Sequence, residues 1–231
     1  MKAWAVGIVL AVSAALLLVT LKEGRMEPAS PVRLSSEEQA TLLSHARDAL
    51  TAHLSAEPRP SLPADQLTES LESEAACFVT LNQEGHLRGC ILDSFAPHEP
   101  IYENVARNVV LAATADTRFP PVTLAEVPSL QIEISILGKP YPVAFSSPDE
   151  FASSLRPGID GVILTTAHGS STFLPQVWEQ LPEPETFLVE LCLKHGAPAD
   201  CWCTNDLIRV ELYQVHHFGE VDPSAASPSE D

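Results

Sequence analysis

Apolar and polar positions recur along this chain with two periods, and the switches between them mark its elements. "SSEEQATLLSHARDALTAHL" (residues 35–54) sets Leu42, Ala46, Ala49 and Leu50 on one helical stripe, with Ser35 or Ser36 as cap and acids in the first turn. "HEPIYENVARNVVLAATAD" (98–116) repeats Ile101, Val105, Val109 and Ala112 at helical spacing behind Pro100 at a first-turn position. Between them, "CFVTLNQEGHLRGCI" (77–91) has two apolar runs around Asn, Gln, Glu and Gly, which predicts a hairpin. "LQIEISIL" (130–137) alternates Leu130, Ile132, Ile134 and Ile136 with Gln131, Glu133 and Ser135, the pattern of a half-buried strand.

The second half rhymes with the first. A short helix near "PDEFASSL" leads to a second hairpin in "GIDGVILTTAHGSSTFL", expected to turn at residues 168–171. "PEPETFLVELCLKHG" then reads as a helix closed by Gly196, and "LIRVELYQVHHF" (207–218) as one long alternating strand. Hairpin followed by helix thus occurs twice.

The amino terminus is different material. After Lys2, residues 3–21 carry no charge, and a segment of about 20 residues is long enough to cross a bilayer. It is an anchor or a signal peptide; the anchor is preferred, because the apolar part exceeds a usual signal-peptide core and no Ala-x-Ala site ends it. The short amino-terminal flank beginning Met-Lys resembles export signals, so the domain is expected outside the cytoplasm, with the cytoplasmic face as the alternative. Residues 22–34 read as a linker, 35–220 as one domain, and 221–231 as a disordered acidic tail. Acids outnumber bases 31 to 13, for a net charge of -18, which repels phosphate backbones and excludes general nucleic-acid binding.

Five cysteines do not make a framework for a chain of this size, and at least one stays unpaired within a monomer. In "HLRGCIL", alternation sends Arg88 and Cys90 to one face and Leu87, Gly89 and Ile91 to the other. A loop over residues 82–85 would set Cys77 opposite Cys90, near disulfide distance, with Val79 and Leu81 on the same face; a loop shorter by two residues would set Val79 there instead. Gly89 permits close approach of a backbone or a ligand. Arg88 either lines a wet cleft or meets an acid, for which Glu133 is the first choice. His216 and His217 face opposite ways in a strand and cannot grip one ion, and Cys201 with Cys203, sharing a face if extended, could be half of a thiol pair or of a metal site with nothing to complete it, so no metal is assigned. The serines of "HGSST" lack a nucleophile elbow, and no phosphate-cradling glycine run with lysine exists.

Five strings, "CFVTLNQEGHLRGCI", "ADTRFPPVTLAEVPSLQIEISIL", "GIDGVIL", "TFLPQVWEQLPEPETFLVELCLKHGAPADCW" and "LIRVELYQV", resemble the AMMECR-type domain, also called AmmeMemoRadiSam system protein A, across roughly residues 35–220. The resemblance implies an α+β domain of mixed, largely antiparallel sheet with flanking helices. It places the strand 87–91 beside a cleft between a larger and a smaller lobe. It suggests Memo-like and radical-SAM partner proteins, settles no biochemical activity and names no cofactor. It also makes Asp116, Arg118 and Asp160 candidates for the cleft, against the reading that each carboxylate fixes a local turn. Leu92 departs from the family's usual glycine, and a membrane anchor departs from its usual soluble cytosolic member.

The function expected is a membrane-tethered module with an accessory role, binding an anionic small molecule or partner around Arg88. The alternative is an enzyme using Cys90 as nucleophile or redox thiol with Arg88 orienting substrate. Binding is placed first because no complete catalytic constellation is visible: His86, four residues from Cys90 on the same face, is the one candidate base and lies distant along the strand.

Overall fold

The computed structural model describes residues 30–204 and 207–220. The apolar run 3–21, the linker as far as residue 29 and the tail 221–231 lie outside the described residues, among which no helix is long and apolar enough to cross a membrane. Residues 31–34, expected to be linker, are partly held by the domain: Pro31 is buried, and Val32 and Leu34 join the core.

In chain order the elements are α1 (Ser36–Leu54), α2 (Glu69–Glu72), β1 (Cys77–Gln83), β2 (His86–Ile91), α3 (Ile101–Thr114), β3 (Leu130–Leu137), β4 (Tyr141–Pro142), α4 (Pro148–Ser154), β5 (Gly161–Thr166), β6 (Gly169–Phe173), α5 (Pro184–Lys194), β7 (Leu207–Tyr213) and β8 (Val215–Gly219). The strands form two antiparallel four-stranded sheets, ordered β2-β1-β3-β8 and β4-β7-β5-β6, rather than one mixed sheet. The fold is α+β, with a larger lobe on the first sheet and a smaller one on the second.

Capping starts α1 where the sequence places it. Ser35 Oγ accepts from the Glu38 N–H while Glu38 returns a bond to the Ser35 N–H at 2.7 Å, so two otherwise orphaned donors are satisfied. Leu42, Ala46, Ala49 and Leu50 then pack with α3 and with Val79, Leu81, Ile132, Ile134 and Ile136 to form the large-lobe core. In the small lobe, Phe151, Leu164, Leu188 and Leu191 surround a stack of Trp178 on Phe187, centroids 3.8 Å apart. A Cys192–Cys201 disulfide ties α5 to the following turn, leaving Cys77, Cys90 and Cys203 free; Cys201 therefore does not pair with Cys203.

The stretch expected to be one long strand is two. β7 belongs to the small sheet, and β8, beginning after Gln214 alone, belongs to the large one. β3 and β4 make the reverse passage, and the Gly138 N–H donates to Gln214 O at 2.8 Å where the two crossovers meet. A period-2 pattern reports an extended chain but not which sheet receives it. The lobes meet elsewhere through Leu137, Ile163 and Tyr213 with Phe78, Leu92, Phe95, Leu174 and Val215, and through a Gln176 to Ser135 hydrogen bond of 3.0 Å.

The β1–β2 hairpin turns in two residues, Glu84 (φ 53°) and Gly85 (φ 76°), both left-handed as such turns require. Thr80 opposes Cys90, Leu81 opposes Gly89 and Asn82 opposes Leu87, so Arg88 is the extra residue of a bulge. Both expected registers are thereby corrected: Cys77 opposes Ile136 of β3, and Val79 opposes Ile91. The face assignment changes too. Cys77, Val79 and Leu81 point into the helical core with Ile91, while Phe78 joins the inter-lobe cluster and Thr80 reaches Cys90. The second hairpin is also tighter than expected, turning at residues 167–168 between β5 and β6.

Gly89 sits where the α3 backbone crosses β2, and a Cβ built there would lie 2.2 Å from the carbonyl oxygen of Ala112. Neither strand nor helix backbone can retreat without moving the core. Gly89→Ala is expected to cost about 1–3 kcal/mol by overpacking, read as a lower urea midpoint at unchanged slope. An unchanged midpoint would refute this account of the contact.

Candidate functional site

Arg88, re-aimed by the bulge, does not look for a ligand. Its Nε donates to Glu126 Oε1 at 3.0 Å, its Nη1 to Pro120 O at 2.8 Å and its Nη2 to Pro121 O at 3.4 Å, with the side chain only 14% exposed. Glu126 is held in turn by the Thr123 N–H and hydroxyl, and these bonds, with Arg88, keep its carboxyl below the usual range. Glu133, the expected partner of Arg88, instead accepts from Asn82 at 2.9 Å. A charge so matched anchors β2 to the loop after α3.

Asp116 and Arg118 come together at Cys90. Asp116 Oδ1 accepts from Arg118 Nε at 2.9 Å; its Oδ2 accepts from Arg118 Nη2 at 2.6 Å and from the Cys90 N–H at 2.9 Å. The Arg118 guanidinium also reaches Cys90 O at 3.5 Å. The pair thus caps the open edge of β2, doing for Cys90 what a neighbouring strand would do. Arg118, then the backbone donors, hold the Asp116 carboxyl down at about 2. Arg118 remains half exposed, its side chain 51% accessible.

The Cys90 thiol lies on the small-lobe side, where Thr80 Oγ1 donates to Sγ at 3.3 Å. Burial raises its pKa, against the opposing pull of the Thr80 hydroxyl and of the charges on Arg118 and Lys194. Lys194 comes from the last turn of α5 in the small lobe, close enough for its charge to act on Cys90. Its chain is exposed, but its amine folds back, donating to Thr172 O at 2.8 Å and lying 4.8 Å from the Phe173 ring centre. Desolvation and the charge of Arg118 lower its pKa, while Cys90 and Asp116 oppose that shift. Tyr213, whose phenol is bonded to Thr172 Oγ1 at 2.8 Å and Phe173 O at 3.1 Å, is pushed up by burial.

Asp160 stands apart from this group. It closes the turn before β5, accepting from the Arg156 N–H at 3.0 Å and from its Nε at 2.9 Å. His216 bonds towards Gln39 and His217 towards Ser135, on opposite faces, and among the described residues no three metal-ligating side chains converge. A separate groove of about 780 Å³ includes Phe95, Leu137, Lys139 and Ile163 but none of Cys90, Arg118 or Lys194.

A family model described as AMMECR1 matches residues 43–218. The chain belongs to the AMMECR1 family. It is 36% identical over 188 residues to a protein of Methanothermobacter thermautotrophicus, covering 81% of this chain and 96% of that one. It is 32% identical over 193 residues to protein MJ0810 of Methanocaldococcus jannaschii, covering 82% and 94%. The crystal structure of protein PH0010 from Pyrococcus horikoshii superposes with a TM-score of 0.74 at 33% identity, covering 83% of this chain and 95% of that one.

Within the AMMECR1 domain, then, the sequence-derived residues divide. Cys90, Asp116 and Arg118 share one place, Arg88 braces it through the bulge, and Asp160 braces a different turn. Lys194, Thr80, Thr172 and Tyr213 were missed. Lysine in the last turn of a helix is ordinary dipole compensation, and only its rarity in this chain, four lysines against nine arginines, was a signal.

Two outcomes follow for the AMMECR1 site. Since the Asp116 carboxyl is depressed in the folded state, its pair with Arg118 stabilises fully above the ordinary value of 3.8 and is lost as pH falls through about 2. Asp116→Asn should cost ~1–2 kcal/mol at pH 7, after allowing for the exposed guanidinium, and flatten the stability loss on acidification; a variant with the wild-type acid profile would contradict the assignment. Second, a neutral-pH alkylating probe should label exposed Cys203 first, half-buried Cys90, whose thiol burial keeps protonated, distinctly more slowly, and buried Cys77 not at all, since the thiolate is the reactive form. Cys90 labelling as fast as Cys203 would restore the nucleophile reading.

Proposed function

We propose that this AMMECR1-family chain is a binding module whose inter-lobe cleft takes an anionic group between Arg118 of the large lobe and Lys194 of the small. The observation that carries it is Lys194: no carboxylate pairs with it among the described residues, although the chain carries 31 acids. A cation left unmatched beside a second, half-exposed cation in an acidic protein is a local reversal of field, suited to a carboxylate or phosphate group. The ligand-facing role thus passes from Arg88 to Arg118 and Lys194, with Cys90 as a protonated thiol in the wall. That state of Cys90 weighs against the enzyme alternative in its nucleophile form.

The apolar run 3–21 supports a membrane tether for this module, and the Cys192–Cys201 disulfide supports its placement in an oxidising compartment outside the cytoplasm. In that compartment a Memo-like or other accessory partner fits better than a radical-SAM enzyme, which needs reducing conditions.

The test is thermal unfolding of the full chain with inorganic phosphate, citrate or acetate against chloride at matched ionic strength. An anion at 100 times its dissociation constant should stabilise by ~2.7 kcal/mol. Arg118→Gln and Lys194→Gln should each abolish the gain, and Arg88→Met should lower basal stability but keep it. Stabilisation no greater than that of chloride would refute the proposal.

A further inference from the structure

The groove of about 780 Å³ draws its lining from both lobes and stands apart from Cys90. Buried Leu137 and Ile163, with Phe95, bring the inter-lobe cluster to its surface, and Ala76, Pro97 and Pro140 extend the apolar lining. Its volume is that of a site for one small ligand. Four charged side chains also line it. Arg209 and Glu211 neutralise each other at 3.1 Å. Lys139 and Glu74 are exposed, and neither side chain has an ion pair or hydrogen bond among the described residues. Ser30 and Val32 belong to the same lining, so the chain enters the domain at the groove. Only the eight residues 22–29 separate Ser30 from the apolar run 3–21, a reach of at most about 30 Å.

We propose that this groove holds a single-chain zwitterionic phospholipid drawn from the membrane that carries the tether, an inference that rests on the tether reading above. The short reach keeps the groove within about 30 Å of the bilayer surface, where such lipids are concentrated. The acyl chain lies along Phe95, Leu137 and Ile163, the phosphate meets Lys139 and the ammonium meets Glu74. Affinity comes from the tail, since each buried methylene is worth about fourfold. The head is chosen by the two charges: Lys139 alone would favour any anionic lipid, and Glu74 beside the same groove disfavours one without a compensating cation.

The full chain is reconstituted in phosphatidylcholine vesicles holding a trace of lysophosphatidylethanolamine with a diazirine at the end of its tail. The vesicles are floated on a density gradient and irradiated, and the adducts are mapped by peptide mass. Label should appear at two places, the apolar run 3–21 and the groove around Phe95, Leu137 and Ile163. Ala96→Trp, at an exposed position of the groove lining, should lose the second and keep the first. Lys139→Glu should weaken groove labelling roughly twofold to fivefold, and a lysophosphatidylglycerol probe should label the groove less than the ethanolamine one. Flotation with label confined to 3–21 overturns the groove assignment and leaves the tether standing. Groove label in a chain that does not float overturns the tether, and with it the membrane as source. A chain that neither floats nor takes label in the groove overturns both, and equal groove labelling by the glycerol probe overturns the zwitterionic head.

Discussion

The open edge of β2 is the constraint on which the site depends. At Cys90 the outward peptide group has no neighbouring strand, and a polar backbone group left without a partner at a half-buried edge is costly. Asp116 supplies the acceptor at 2.9 Å, and that same carboxylate holds the two donors on one side of Arg118. A structural need at the strand edge thus fixes a half-exposed guanidinium beside Cys90. The local-clasp and cleft readings of Asp116 and Arg118 are two consequences of one set of bonds.

The approach of the small lobe to Cys90 comes from how the lobes are joined. In each, a hairpin and a helix precede a third strand that pairs with the first strand of the hairpin, giving β2-β1-β3 and β6-β5-β7. Each third strand then crosses over and supplies the fourth strand of the other sheet. Apart from these crossovers the lobes share a small cluster around Tyr213 and Phe95 and the Gln176–Ser135 hydrogen bond, and the charge of Lys194 at the end of α5 acts on Cys90 from the small lobe. Gly161 belongs to the same design: a Cβ there would lie 2.4 Å from the Tyr213 ring.

The bulge at Arg88 explains why the best-marked residues of the sequence were only partly those of the site. Arg88 and Cys90, two apart in a strand, read as neighbours on one face, yet the inserted residue takes Arg88 out of the ladder towards Glu126 and the Pro120 and Pro121 carbonyls. A bulge changes two-residue alternation by one position, and nothing in "HLRGCI" announces it. Gly89, which did stand out, serves the crossing helix.

By itself the sequence determined what local chemistry dictates: the capped first helix, the helix behind Pro100, the two hairpins, the alternating β3, the α+β class and, through its separated motifs, the family. Those features depend on neighbours within one or two turns, where spacing is information enough. Tertiary structure alone decided the partner of Arg88, the Cys192–Cys201 bond, the division of the last strand between two sheets and the meeting of Asp116, Arg118 and Cys90. Each of these joins residues whose proximity is set by how the two sheets pack, and periodicity along the chain carries no record of that.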